Sequence, residues 1–314
     1  MLSIVDERLG TLIACEYLDT AERYLLDGET ERGLNLICEC LRRVRSVLEP
    51  GEWDEYIRDI CLAHPVAELL YQDPLTFRAY HKPRGYPGDA VTIDYIYGRE
   101  DERLAPQRSS EIGRQIYNQG CMRPAPTAVR ERRHIVAELI DVLALRVQRP
   151  RILSLAAGHL READLSSALR GGAVGELVAL DQDPKSVAVI EKEYSRYSVT
   201  PVCSDVRAVM NDAEPLGQFD FVYATGLFDY LRPQMASRLV NRMLTMTRPG
   251  GQVLVPNFVP NIPDLGYLEA FMGWKLIYRD EDDLRALFGE KDLANHDLFL
   301  GANHNIAYIL VRKS

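Results

Sequence analysis

Apolar residues recur at two different periods along this chain, and the period changes near residue 147. Before the change, Leu34, Ile37, Leu41, Val44 and Leu48 step by three and four, which predicts an amphipathic helix with one apolar face. Val129, Val136, Leu139, Ile140 and Leu143 predict a second, in a helix that Pro124 and Pro126 precede and Pro150 ends. Between these faces, Pro74, Pro83, Gly85, Pro87, Gly88 and Gly98 punctuate a stretch from Pro65 to Pro126 that is expected to be irregular.

From Arg151 onward, short apolar runs alternate with longer amphipathic segments, the pattern of a parallel sheet built from strand–helix–strand units. The runs are Ile152 to Leu155, Glu176 to Leu180, Val199 to Val202, Phe219 to Tyr223 and Gln252 to Val255, with helices expected near 160–170, 184–196 and 233–247. Two last runs, Asp297 to Leu300 and Ile306 to Val311, flank Gly301-Ala302-Asn303-His304-Asn305, which reads as a hairpin loop. The expected architecture is an α/β doubly wound sheet with an antiparallel C-terminal edge over 147–314. A mostly helical domain or lid over 1–146 precedes it.

Charge narrows the partners. With 37 basic and 46 acidic side chains among 314 residues, the formal net charge is −9. Non-specific binding to nucleic acid or to an anionic membrane surface needs a cationic face, so neither is expected. No run of 18 uncharged apolar residues offers a spanning helix, and the first residues lack the basic and apolar regions of a secretory signal. A cytoplasmic protein with a small-molecule substrate is the expectation, with its oligomeric state open. The six cysteines form no Cys-x-x-Cys pair and no zinc-ligand spacing, so neither a metal site nor a disulfide framework is expected.

Ligands of an open α/β sheet sit beyond the carboxyl ends of its strands, near the first strand–helix turn. Here that turn is Ala156-Ala157-Gly158-His159-Leu160-Arg161-Glu162, whose single glycine does not meet the dinucleotide fingerprint. A ligand without phosphates fits better. Asp181, 23 residues after Gly158, ends the second run and is placed to accept hydrogen bonds from ribose hydroxyls, with Gln182 beside it. Ser204-Asp205 ends the third run, where a carboxylate can receive an adenine amino group, and Thr225 follows the fourth.

These elements, together with Arg248-Pro249-Gly250-Gly251, resemble the class I S-adenosylmethionine-dependent methyltransferases over about 150–312. The resemblance implies a Rossmann-like fold and S-adenosylmethionine as cofactor. It also implies that Ala156 and Gly158 lie against the methionine part, Asp181 against ribose and Asp205 near adenine. His81-Lys82-Pro83-Arg84-Gly85-Tyr86-Pro87-Gly88-Asp89, Ile96-Tyr97-Gly98, the segment Ala128 to Arg133, Gly226 to Leu231 and Trp274 to Arg279 resemble a bacterial subgroup. That subgroup includes enzymes assigned to 3-hydroxypalmitic acid methyl ester biosynthesis. Its usual asparagine is replaced here by Glu131, and its usual proline by His159.

A small-molecule methyltransferase acting on a carboxylate or another oxygen or nitrogen acceptor, in a secondary-metabolite or signal route, is the leading expectation. Asp229 and Tyr230, after the fourth run, are the expected catalytic groups near the reacting centre. Tyr86 joins them from the Lys82-to-Asp89 segment, read as a lid, with Arg84, Asp89 and Tyr97 around it; two plain turns are its other reading. Arg130 or Arg133 is expected to hold a carboxylate, either of the acceptor or of the methionine tail. Two other uses of the same fold stay open. One is cyclisation of the cofactor to azetidine-2-carboxylate and methylthioadenosine, as in azetidine-2-carboxylate synthase-type variants; the other is a non-catalytic cofactor-binding subunit.

Overall fold

A computed structural model describes residues 16–98, 109–211 and 216–314. By packing, the chain divides into two units, one of residues 1–127 with 261–275 and one of 128–260 with 276–314. The packing division at Thr127/Ala128 and the change of hydrophobic period near 147 are different boundaries. A single helix, Pro124–Arg146, runs through the first position and ends just before the second. Pro124 and Pro126 lie within its first turn rather than ahead of it, where a missing N–H costs no intrahelical bond.

The first unit is helical. Helix Thr30–Val47 buries Leu34, Ile37 and Leu41 on the face that their spacing predicts. The stretch expected to be irregular is instead mostly short helices, Val66–Leu70, Pro74–His81, Ala90–Tyr97 and Glu111–Cys121. Their ends follow local chemistry. Asp73, Asp89 and Ser110 accept backbone N–H groups as N-caps, Pro74 follows its cap, and Gly98 closes its helix in the left-handed region at φ 65°. The prolines and glycines therefore punctuate helices rather than abolish them.

An excursion of the later chain, 261–275, packs within this unit. Its helix Leu265–Ala270 approaches helix Thr30–Val47 so closely that a Cβ on Gly266 would stand 2.5 Å from the Leu41 Cβ. Polar ties fix the rest. Glu269 accepts from Trp53 Nε1 at 2.7 Å and Arg45 Nε at 3.0 Å, and Asp264 accepts from Arg123 Nε at 2.5 Å and Ala125 N at 2.7 Å.

The second unit holds one seven-stranded sheet. Its strands are β1 Arg151–Leu155, β2 Glu176–Asp181, β3 Val199–Cys203, β4 Phe219–Tyr223, β5 Thr247–Phe258, β6 His296–Leu300 and β7 Ile306–Arg312. Their order is β3-β2-β1-β4-β5-β7-β6. The first five are parallel, and β7 lies antiparallel between β5 and β6. The doubly wound, Rossmann-like sheet with an antiparallel C-terminal edge is thus present. Pro201 sits in β3, an edge strand, where a missing ladder N–H is tolerated. The segment expected as a helix near 160–170 is split into a 3-10 turn, Arg161–Asp164, and a single helical turn, Ser167–Arg170.

That split is organised from a distance in sequence. Asp141, on helix Pro124–Arg146, accepts from Ser166 Oγ at 2.6 Å, Ser167 N at 3.0 Å, Ser167 Oγ at 2.6 Å and Ala168 N at 2.9 Å. Asp141→Ala leaves these donors unmet, and each charge-assisted bond is worth about 1.5–3 kcal/mol before water replaces it. Chemical denaturation should show a loss of at least about 2 kcal/mol. An unchanged midpoint would mean that the cap contributes nothing.

Candidate functional site at the carboxyl ends of the parallel strands

The chain leaves β1 through three left-handed residues in alternation, Ala156 at φ 51°, Gly158 at φ 56° and Leu160 at φ 52°. The single glycine of the sequence therefore understates the turn: alanine and leucine adopt the conformation that glycine takes more readily. Each such non-glycine residue costs about 1–2 kcal/mol. The turn is held from β2. Ala157 N donates to Leu180 O at 3.0 Å, Gly158 N to Asp181 Oδ2 at 2.7 Å, and Asp183 N to Asp181 Oδ1 at 2.9 Å.

Asp181 is consequently 4% exposed, with one backbone donor on each oxygen and a further lone pair on each. Burial pushes its carboxyl up from the ordinary aspartate range, against the two N–H bonds that favour the charge. Ser204 N donates to Asp181 O at 3.0 Å, which brings the end of β3 to the same place. Asp205 is exposed and caps helix Val206–Met210 through Oδ1, which accepts from Arg207 N at 2.8 Å. Gln182 is exposed and Thr225 half-buried, each one or two residues beyond a strand end.

Behind the turn, Arg161 is buried and donates to Glu193 Oε2 at 2.6 Å and Tyr194 Oη at 3.1 Å. Its other terminal nitrogen lies 3.4 Å from His159 Nδ1, so His159 is fastened by the residue two further on.

On the β4 side, Tyr223 donates to Glu162 Oε1 at 2.7 Å, joining the end of β4 to the turn after β1. Burial pushes the Glu162 carboxyl up, while Arg132 and Arg133 pull the other way. Asp229 is buried after β4. Its Oδ1 accepts from Phe258 N at 2.8 Å and its Oδ2 stands 4.0 Å from Arg132 Nη1. Arg279 sits in the same network, donating to Phe228 O and Asn257 Oδ1, each at 2.7 Å. Burial raises Asp229 to about 6, against the pull of Arg132, the Phe258 N–H and Arg279. Tyr230, next in sequence, is 37% exposed.

Arg132 lies beside the two arginines expected to hold a carboxylate, and the sequence carries a signal for its burial. It falls three residues after Val129 and four before Val136, in phase with the buried face of the helix. Arg130 and Arg133 are half-buried, and His134 is exposed. Glu131 has a different role from its neighbours: its Oε1 accepts from Ala302 N at 2.8 Å and so holds the β6–β7 loop.

The Lys82-to-Asp89 segment belongs to the first unit. It is turns throughout, with Gly85 N donating to Lys82 O at 2.8 Å and Lys82 left-handed at φ 49°. Arg84 and Tyr86 are half-buried in it, and Tyr97 ends the helix that follows. Asp89 is wholly buried: it caps helix Ala90–Tyr97 and accepts from Arg78 Nη2 at 2.8 Å on Oδ2 and 3.0 Å on Oδ1. Its carboxylate closes the loop at its base.

Residues 152–251 match the family model described as a methyltransferase domain. The matched segment, roughly a third of the chain, is similar to that family. Its cofactor is S-adenosylmethionine. No curated protein matches the chain. Among solved structures, a Bordetella parapertussis protein described as a possible exported protein shares the fold, at TM-score 0.53 and 15% identity over 85% of this chain and 99% of that one. Also similar are magnesium protoporphyrin IX methyltransferase from Synechocystis, at TM-score 0.45 and 13% identity over 60% and 87%, and an N-methyltransferase of Bradyrhizobium japonicum, at 0.43 and 13% over 59% and 87%; both hold S-adenosylhomocysteine. No described helix is long and apolar enough to cross a membrane.

Two outcomes follow for this domain. Ala156→Gly relieves a left-handed alanine and should leave stability unchanged or raise it by up to about 1 kcal/mol, whereas Leu160→Gly removes a fully buried side chain and should cost more than about 2 kcal/mol. Thermal unfolding of the pair checks this; equal effects would mean that the left-handed turn is not strained. For Asp229 the folded carboxyl lies above its unfolded value of 3.8, so its contribution to stability is full below pH 3.8 and is lost as pH rises through about 6. Asp229→Asn should flatten the stability profile across that window, measured by denaturation at successive pH values.

Proposed function

We propose that this chain is an enzyme that methylates a small-molecule acceptor at oxygen or nitrogen, carboxylates included, in a bacterial signal or secondary-metabolite route. The observation that carries the reading is the left-handed turn after β1 collected by the Asp181 carboxylate, beside the exposed Asp205 at the end of β3. Those residue types suit a nucleoside. The second lone pairs of Asp181 can accept ribose hydroxyls, and Gly158 and Ala156 present little side chain to the amino-acid end. Gln182, Ser204 and Asp205 are our candidates for the base, and Thr225 for the side nearer β4.

When bound, S-adenosylmethionine supplies a methyl carbon already activated by its sulfonium. The chain's part is then positioning and exclusion of water. Buried Phe228 gives the β4 end an apolar side chain beside its charges, and the Tyr223–Glu162 hydrogen bond ties it to the first turn. An acceptor carboxylate needs no general base; an amine or hydroxyl must lose a proton. Asp229, with its proton affinity near neutrality, and the hydroxyl of Tyr230 are our candidates for that transfer. Tyr86, Arg84, Tyr97, Arg130 and Arg133 remain candidates for handling the acceptor.

Incubation with S-adenosylmethionine, alone and with panels of carboxylates, amines and alcohols, followed by mass spectrometry, tests the reading. We expect adenosylhomocysteine to accumulate only with an acceptor. Methylthioadenosine formed without acceptor would redirect the assignment to cyclisation of the cofactor, and binding with no product to a non-catalytic subunit.

A further inference from the structure

Arg132 is 5% exposed, its Nε meets no hydrogen-bond partner among the described residues, and the ion pair recorded for it, with Asp229 Oδ2, is long at 4.0 Å. A buried Nε–H without a partner is unfavourable, and folded chains avoid the arrangement unless something else meets it. The helix carries Arg132 on its buried face, whereas the neighbouring positions 130 and 133 are half-buried. The place is also specific. A Cβ on Gly226 would stand 3.7 Å from Arg132 Nη2, so glycine at 226 sets no side chain of its own against that nitrogen.

We propose that Arg132 is the seat of a carboxylate in this domain, and that filling the seat draws one proton from solvent onto Asp229. The proposal rests on the reading that the domain binds S-adenosylmethionine. A carboxylate fits better than a phosphate dianion. One guanidinium matches the two oxygens of a carboxylate, and the nearby Glu162 and Asp229 would repel a second negative charge.

The proton follows from which oxygen faces which partner. Asp229 Oδ1 keeps the Phe258 N–H throughout, while Oδ2 has Arg132 as its counter-charge. Once a ligand carboxylate engages Arg132, Oδ2 faces a neutralised pair inside a buried site, and the proton lodges there. The other charges around the pair are accounted for. Arg279 is engaged with Phe228 O, Leu231 O and Asn257 and is acted on by Asp283, while Glu162 is acted on by Arg132 and Arg133 and accepts from Tyr223. Burial already raises Asp229 to about 6, and loss of the positive field of Arg132 raises it further.

The carboxylate has two sources, the amino-acid end of the cofactor or the acceptor, and calorimetry with three probes separates them. Titrations of S-adenosylhomocysteine and of methylthioadenosine, which lacks the carboxylate, are run near pH 6.5 in buffers of different ionisation enthalpy. Acetate is then titrated into each complex. If the cofactor fills the seat, adenosylhomocysteine binds with proton uptake and methylthioadenosine without. Arg132→Met then weakens adenosylhomocysteine at least tenfold and methylthioadenosine little, and acetate binds the methylthioadenosine complex alone. If the acceptor fills it, acetate binds both complexes with proton uptake, in an Arg132-dependent way. In either case Asp229→Asn abolishes the uptake. The wild-type uptake needs no variant to fold. Nucleosides and acetate that bind without proton uptake and without dependence on Arg132 would overturn the proposal alone. Failure of both nucleosides to bind wild-type protein would overturn the cofactor reading with it.

Discussion

The carboxylate of Asp181 is the point on which the candidate site depends. It collects N–H groups from the turn after β1 and from the turn after β2, and its own carbonyl receives Ser204 from the end of β3. Three strand ends are thereby set around one buried negative charge. A turn of three left-handed residues, two of them not glycine, is unfavourable locally; it is stable because these bonds over-determine it. On the proposed reading, the lone pair left on each oxygen of the same carboxylate accepts the ribose hydroxyls.

The β4 side is built on opposite logic. There the chain buries charges that are only partly matched: Glu162 answered by a tyrosine hydroxyl, Asp229 by one backbone N–H, and Arg132 by a distant carboxylate. Such a network does little for stability and is sensitive to any added charge. That sensitivity is what a site for an ionic ligand requires. It contrasts with the apolar layer beneath, where Leu153, Val222 and Val253 leave nothing unmet.

In the helical unit, rigidity comes from caps and close contact. Asp73, Asp89 and Ser110 each start a helix, Gly266 allows an approach that any side chain would block, and the Arg78–Asp89 fork closes the loop from Lys82. Tyr86 and Arg84 thus ride on a loop whose ends are anchored, although the loop itself is only turns.

Local and periodic features were legible from the chain alone. The strand runs sit where alternating periods place them, because buried parallel strands need uninterrupted apolar residues whatever surrounds them. The order Gly158, Asp181, Asp205 at successive strand ends was legible for the same reason. Short helices between prolines were not read, although their caps were visible at Asp73-Pro74 and Asp89. Only the tertiary structure decided that 261–275 packs with the first unit, that Ala156 and Leu160 take glycine-like conformations, and that Arg132 rather than Arg130 or Arg133 is the buried arginine. Each of those depends on partners more than twenty residues away: Leu41 and Trp53 for the excursion, Asp181 for the turn, Asp229 for the arginine. A hydrophobic period records which face is covered, but not by what, and an unmet charge is invisible until its surroundings are in place.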